Sequence, residues 1–460
     1  MATEFELWRY PMKNLLYLTL LLTMLFLGTV SVEAASHYIR AGASGANNGS
    51  SWTDAWTNFP SGTTYIRGDE YYVADGSYPS SQYLFQTTAS GSTTIKICKA
   101  TVATVGSCST AHGSDTNWLD TYGDGQAIFI GKLSITTAYW IIDGVSGAGS
   151  SATAGSNPAT YGFYVNLTNT LIDSRGVDIG GFSNPGNNLQ LKHIAVQCAG
   201  LVSPEVDQSG FSGYGNFVTM SYLYADNCVS SMWTQGNNVT IENSYLGRQW
   251  TGNTHGVQVT FRDNPVFRNN IVAHCNPQCI EPGGDCTTAS SNGAYYNNVF
   301  NQAPGNANGV IKGVCNGGII NSVIYGNTVT NSQGPLLYQS NGSAGSGNTV
   351  VNNLFYNSVG CCEAASGGAI AHSYNAYFNS GTQSETGVQN GSGDPFVSLA
   401  TENYHLKAAT NAGLTLSAPF NTDLIGAARG ADGVWDRGAF AFVGIGDTIP
   451  PMAPNNLRIQ

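Results

Sequence analysis

The sequence predicts an all-β solenoid, short strands stacked coil upon coil, and three observations lead there. A short phrase recurs eight times between Leu189 and Ser380: Leu191–His193–Ala195, Met220–Tyr222–Tyr224, Ile241–Asn243–Tyr245, Phe267–Asn269–Ile271, Tyr295–Asn297–Val299, Ile324–Gly326–Thr328, Val350–Asn352–Leu354 and Ser373–Asn375–Tyr377. Its spacing averages about 26 residues, inside the period range of stacked architectures. Each phrase alternates with period two and so reads as a strand. A strand this short cannot bury its own apolar face, so stacking on its neighbours must supply one continuous core. Composition agrees. Glycine is 57 of 460 residues and charged residues only 10%, and no stretch beyond the N-terminus has the Leu, Glu, Lys and Ala content of a long amphipathic helix.

The elements follow in order. Residues 1–34 read as a signal peptide: Lys13 supplies positive charge, Leu15 to Val30 is apolar, and Val32-Glu33-Ala34 fits a cleavage site, so the mature chain is expected to start near Ala35. A retained membrane anchor is the alternative, for which the run is short. Residues 35–93 are expected to form an N-terminal cap and first strands, covering the open backbone edge of the stack. Coils run over 94–390, a C-terminal cap over 391–446, and a Pro-rich linker with Pro450, Pro451 and Pro454 over 447–460.

Ten cysteines, an even count, suit an oxidising compartment. Cys98 and Cys108 can close a loop, and Cys198 and Cys228 occupy similar positions on successive coils, whose separation suits a disulfide. Cys275, Cys279, Cys286 and Cys315 cluster, with zinc as the alternative to disulfides, and Cys361 abuts Cys362. A net charge of −11 argues against a nucleic-acid partner, because phosphate binding needs a basic surface.

The opening HYIRAGASGANNGSSWTDAW…RGDEYYVADGSY, the Asn-bearing coils and the ending NYHLKAATNAG…WDRGAFAF resemble secreted bacterial right-handed parallel β-helix proteins of the pectate-lyase-like superfamily, over roughly residues 37–444. The resemblance implies three sheets per coil, right-handed winding and asparagine at the tight turn between two sheets. It places Asn243, Asn269, Asn297, Asn352 and Asn375 in stacked amide ladders. Members of that superfamily include polysaccharide lyases, glycosidases and non-catalytic adhesion or surface proteins. No signature of a defined lyase or polygalacturonase subfamily stands in this chain.

A second strand series precedes each Asn phrase, and its outward residues should form a column: Asp178, Ser212, Trp233, Gln258, Glu281, Lys312, Tyr338 and His372. Aromatic planes and fixed polar groups in a line suit a carbohydrate groove, which the resemblance places on such a face. Lys312 is the candidate base for a lyase. Glu281 falls on the coil before it, and with Asp285 or Asp263 would make a Ca²⁺ site. A solvated Glu281–Lys312 ion pair is the alternative, worth about 0–1 kcal/mol. Asp178 lies several coils from Glu281, too far for a glycosidase carboxylate pair. His255, a further catalytic candidate, opens the strand Gly256-Val257-Gln258-Val259, where related proteins carry a His-small-acid-Gly pattern; here His255-Gly256-Val257-Gln258 lacks the acid, and a histidine bonding its own turn is the alternative. Arg248, Trp250 and Arg262 would line the rim, Arg262 otherwise pairing Asp263 within a turn. Two functions stay open: a secreted polysaccharide lyase acting on an acidic glycan, or a non-catalytic adhesin, glycan binder or surface protein.

Overall fold

A computed structural model of the chain describes residues 34–152, 156–168, 174–200, 208–247, 258–275, 278–282, 289–302, 309–313, 318–339, 346–364 and 370–443. Residues 1–33 of the expected signal peptide and the Pro-rich tail lie outside these. Among the described residues no helix is long and apolar enough to cross a membrane.

The strands form a right-handed parallel β-helix. Among the described residues the first sheet has twelve strands, from Ser36–Ile39 and Glu70–Val73 through Leu189–Lys192 and Thr240–Glu242 to Ala371–Ser373. The second also has twelve, from Gly76–Tyr78 through Ile194–Gln197 and Ile271–Cys275 to Gln389–Gly391. The third side carries a run of six strands between Gln82–Phe85 and Gln258–Phe261, then a run of three, Ile311–Gly313, Leu337–Gln339 and Cys362–Ala364. Within these sheets every strand pairs in parallel with the strand one coil away, as in Leu191↔Met220, Met220↔Ile241 and Ile241↔Phe267. Those four side chains point inward and are fully buried. Each such burial is worth about 1.5–3 kcal/mol, and in sum it stabilises coils that could not fold singly. The first coils fill their interior with rings instead: Phe59, Tyr65, Tyr78, Tyr83, Phe85, Phe129 and Trp140 pack tilted or edge to face.

The repeated phrase is not one strand. It is the end of a first-sheet strand, a single corner residue, and the start of a second-sheet strand. The corner residues are left-handed: His193 (φ 52°), Tyr222 (54°), Asn243 (50°), Asn269 (55°), Asn297 (55°), Gly326 (60°) and Asn352 (59°). Asparagine and glycine tolerate that region best, which is why Asn recurs. In the last phrase the corner is Tyr374 (φ 55°), not Asn375, because Val350 pairs with His372.

The amide ladder accordingly sits one residue later than expected for most of its rungs. It runs through Ser244, Asn270, Asn298, Asn327, Asn353 and Asn375, all 0% exposed. Asn270, Asn298, Asn327 and Asn353 each donate a side-chain N–H to the Oδ1 of the next Asn at 3.0–3.2 Å. Their backbone N–H groups donate to the same oxygens at 2.8–3.0 Å. The last rung, Asn375, donates its N–H to Glu385 Oε1 (2.6 Å) and its Nδ2 to Glu385 Oε2 (3.2 Å), so a carboxylate stands in for the missing coil. Of the corner asparagines, Asn269 donates to Asn243 at 3.3 Å, while Asn297 and Asn352 turn to the carbonyls of Thr422 and Leu414. A left-handed residue throws its side chain off the stack, and the residue after it turns inward where the corner N–H groups need acceptors.

Among the described residues, four disulfides join Cys98–Cys108, Cys198–Cys228, Cys275–Cys279 and Cys361–Cys362. Cys275 and Cys279 are thus paired with each other rather than free for zinc; Cys286 and Cys315 lie outside the described residues. Cys198–Cys228 ties two successive coils at a Cα separation of 4.9 Å.

After the last coil the chain folds back along the outside of the second sheet. Tyr404, Leu406, Leu424 and Phe440 pack on Tyr245, Ile271, Val299, Leu354 and Ala376. Buried Arg429 donates to Asn297 Oδ1 (2.8 Å) and to the carbonyls of Asp436 (3.0 Å) and Gly438 (2.7 Å). Glu402 accepts from or pairs with His274 Nε2 at 2.9 Å. This covers one face of the coil stack.

Lys99, at the end of the strand Ile95–Lys99, is 2% exposed, and its Nζ donates to the Ala100 carbonyl at 2.6 Å. Burial pushes its pKa down to about 8, against the pull of Asp75 and Asp124. The folded value therefore lies below the unfolded one, and between the two the unfolded chain binds more protons. Stability should rise as pH climbs from about 8 to about 10, and below that window the charged lysine should cost about 3 kcal/mol. Lys99→Met is expected to be more stable near neutral pH and to lose the rise. Denaturant midpoints of both proteins at about pH 7 and about pH 9.5 check this; parallel pH profiles would refute it.

Candidate functional site

The third side carries the predicted column. Ser134, Asp178, Ser212, Trp233 and Gln258 are paired position for position across five successive coils. Farther along, Ile280 bridges Ile311, which sets Glu281 abreast of Lys312, and Lys312 pairs with Tyr338, Tyr338 with Glu363. In backbone register the series therefore ends at Glu363. His372 belongs to the first sheet, opposite Val350, because the last coil departs from the ten-to-fifteen-residue offset on which the expectation rested. Ser212 also differs from expectation: it is 1% exposed, with a buried Oγ that lacks a hydrogen-bond partner.

The N-terminal half of the column is built around Asp178. Arg175 Nη1 lies 3.3 Å from Asp178 Oδ1 and Lys132 Nζ 3.7 Å from Oδ2. The Arg175 guanidinium also sits 5.8 Å from the Trp233 ring centre. Tyr214 meets Trp233 edge to face at 5.5 Å. Two cations thus face one carboxylate in a chain of net charge −11. The two cations stand partly exposed while the Asp178 side chain is 13% exposed, so solvent screens the pairs only in part. Arg175, Lys132 and Tyr214 carry no separate signal in the sequence: Arg175 and Tyr214 flank the column positions on the same strands, and Lys132 lies on a coil before the readable repeat.

In the C-terminal half, Glu281 is 7% exposed and accepts a hydrogen bond from Gln278 Nε2. Lys312 is half-buried, and its backbone N–H donates to the Ile280 carbonyl at 2.9 Å. Among the described residues no ion pair joins Lys312 to a carboxylate, Glu281 included. Tyr338, half-buried, stands one coil further on. Trp233 and Lys312 are three coil spacings apart, roughly 14 Å, and Asp178 and Glu281 four, roughly 19 Å. The latter exceeds either glycosidase carboxylate separation.

Asp263 is exposed at the corner that leads into the first sheet, bridged to Ser291, whose hydroxyl donates to Asp263 Oδ1. It occupies a different position of the coil from Glu281. Arg262 precedes it, half-buried, its backbone N–H on the Gly236 carbonyl at 3.2 Å. Among the described residues no group of three or more His, Cys, Asp or Glu side chains converges as a metal site. Asp285, His255, Arg248 and Trp250 lie outside the described residues, and Gln258 is placed by its backbone alone.

Fold and column together define a parallel β-helix with one polar, aromatic-bearing outer face. No protein-family model and no curated protein matches the sequence. Among solved structures, the pectate lyase Pel9A is similar at 14% identity and a TM-score of 0.47, covering 89% of this chain and 98% of that one. The PL6 family alginate lyase AlyGC is similar at 14% identity and a TM-score of 0.41, over 71% of this chain and 47% of its own. A PL6 family polysaccharide lyase, Pedsa3628 from Pseudopedobacter saltans, is 9% identical with a TM-score of 0.39, over 78% and 95%. The fold assignment rests on the strand pairing itself.

Proposed function

We propose that the outer face of the third side binds an acidic polysaccharide and that Lys312 is the base of a lyase reaction upon it. The observation that carries this is Lys312 itself: a half-buried amine on the column, unpaired with any carboxylate among the described residues. In the reaction, the Lys312 amine takes the proton from the carbon beside the sugar carboxyl. The C–H electrons form a carbon–carbon double bond as the glycosidic C–O bond breaks, and the departing oxygen takes up a proton. Tyr338, paired with Lys312 one coil along, would supply the hydroxyl that hydrogen-bonds that oxygen. Arg175 and Lys132 would hold sugar carboxylates farther along the chain. The disulfides among the described residues support an extracellular location for this activity.

The test is ultraviolet absorbance of unsaturated product over a panel of polyuronides, with and without Ca²⁺. Wild type should give product on at least one, and Lys312→Ala should lower the rate at least about a hundredfold. An unchanged rate in the variant removes Lys312 from the chemistry. Silence over the whole panel leaves the second reading, a non-catalytic glycan binder. That reading is favoured by how few described ionisable groups the column holds, with Asp178 ion-paired and Glu281 bonded to Gln278.

A further inference from the structure

A short antiparallel hairpin, Gly180–Gly181 against Asn184–Pro185, leaves the third side directly after Asp178. Its start is fixed twice. Asp178 Oδ1 accepts the Gly180 N–H at 3.2 Å, and Gly180 has φ +93° with so little room that a Cβ would stand 2.2 Å from the Asn184 carbonyl. Its end is tied down by the Gly186 N–H, which donates to Ile179 O (2.7 Å) and Tyr214 O (3.0 Å). On this rigid base the tip residue, Phe182, is 75% exposed. Full burial of such a ring would be worth about 1.5–3 kcal/mol, so the fold gains little from this one where it stands.

Phe182 meets Tyr214 edge to face at 5.8 Å and 85°, and Tyr214 meets Trp233 at 5.5 Å and 85°. Three rings therefore run from the hairpin tip across two coil spacings, roughly 10 Å. Polar groups border them: Arg175 over Trp233, with Asp178 and Lys132 beside it. A protein partner would need about 800 Å² of complementary surface on each side, far more than three rings among charges offer. A sugar ring, with an apolar C–H face and polar edges, fits this combination, and a sugar carboxylate complements the two cations.

We infer that Phe182, braced by Tyr214 and Trp233, is a stacking subsite that grips an acidic glycan far from Lys312 and makes binding depend on chain length. This rests on the glycan-binding reading of the face but not on catalysis. Lys312 lies five coil spacings from Asp178, roughly 24 Å, so one ligand must be several sugars long to touch both ends.

The experiment measures binding of polygalacturonate, alginate and their disaccharides to the full chain carrying Lys312→Ala, so that turnover does not interfere. Adding Phe182→Ala should weaken polymer binding roughly three- to tenfold, leave disaccharide binding and thermal unfolding unchanged, and be rescued by Phe182→Tyr. Polymer binding that is indifferent to Phe182→Ala, or impaired equally by Phe182→Tyr, overturns the subsite. Absence of polymer binding before Phe182 is touched overturns the subsite together with the groove. Binding that follows this pattern while wild type forms no unsaturated product supports the subsite and sinks only the lyase.

Discussion

Asn327→Ala should destabilise the coil stack by about 3–6 kcal/mol, the largest loss expected from a single side chain here. Asn327 is 0% exposed and works in two directions. Its Oδ1 accepts the Asn298 N–H at 2.9 Å and the Asn298 side-chain N–H at 3.0 Å. Its own Nδ2 donates to the Tyr295 carbonyl at 2.9 Å and to Asn353 Oδ1 at 3.0 Å. Alanine leaves a buried backbone donor and a buried carbonyl without these partners, at about 1–3 kcal/mol each, and adds a cavity. Asn327→Asp should be worse, because it sets a carboxylate against the two oxygens that Nδ2 now serves. The control is Asn269→Gly at a corner. Glycine accepts φ +55° readily, and a single 3.3 Å amide bond is lost, so the cost should stay below about 1 kcal/mol. Guanidinium unfolding of the three variants measures the contrast. Equal losses at Asn327 and Asn269 would show that the inner ladder has no special role.

Arg429→Met should cost about 3–5 kcal/mol and release the C-terminal segment before the coils unfold. The guanidinium is 7% exposed. Burial pushes its pKa down to about 10, opposed by Asp423 and Asp436, so it stays charged at neutral pH. It satisfies carbonyls of Thr422, Asp436 and Gly438 and, through Asn297 Oδ1, clamps them to the coil corner. Methionine fills similar space but leaves these acceptors unpaired. Limited proteolysis should then cut within residues 394–443 while the coil strands stay protected. Cleavage inside the coils at the same rate as in the segment would contradict a separately releasable strap.

The solenoid was legible because its cause is local and repeated. Every coil must bury one apolar column, so Leu191, Met220, Ile241 and Phe267 recur at near-constant spacing. The outer column was legible for the same reason, since parallel pairing carries Asp178, Ser212, Trp233 and Gln258 into line. Corners were harder. A left-handed residue flips the facing of all that follow, so a phrase that looks like one strand is two, and the ladder shifted by one position. The hairpin after Asp178 shows a Gly/Asn/Pro signature in sequence, but its exposed Phe182 gains meaning only from Tyr214, 32 residues on.

By itself, then, the amino-acid order determined the stacked-coil architecture, its in-and-out alternation and the residues that would share an outer face, because each depends on neighbours a fixed number of positions apart. Only the tertiary structure decided which asparagines turn inward, that among the described residues no carboxylate pairs with Lys312 while Glu281 accepts from Gln278, and that residues 394–443 lie along the second sheet. Those outcomes depend on contacts between segments far apart in the chain, 132 residues for Arg429 with Asn297 and 157 for Tyr245 with Glu402, and no periodicity encodes them.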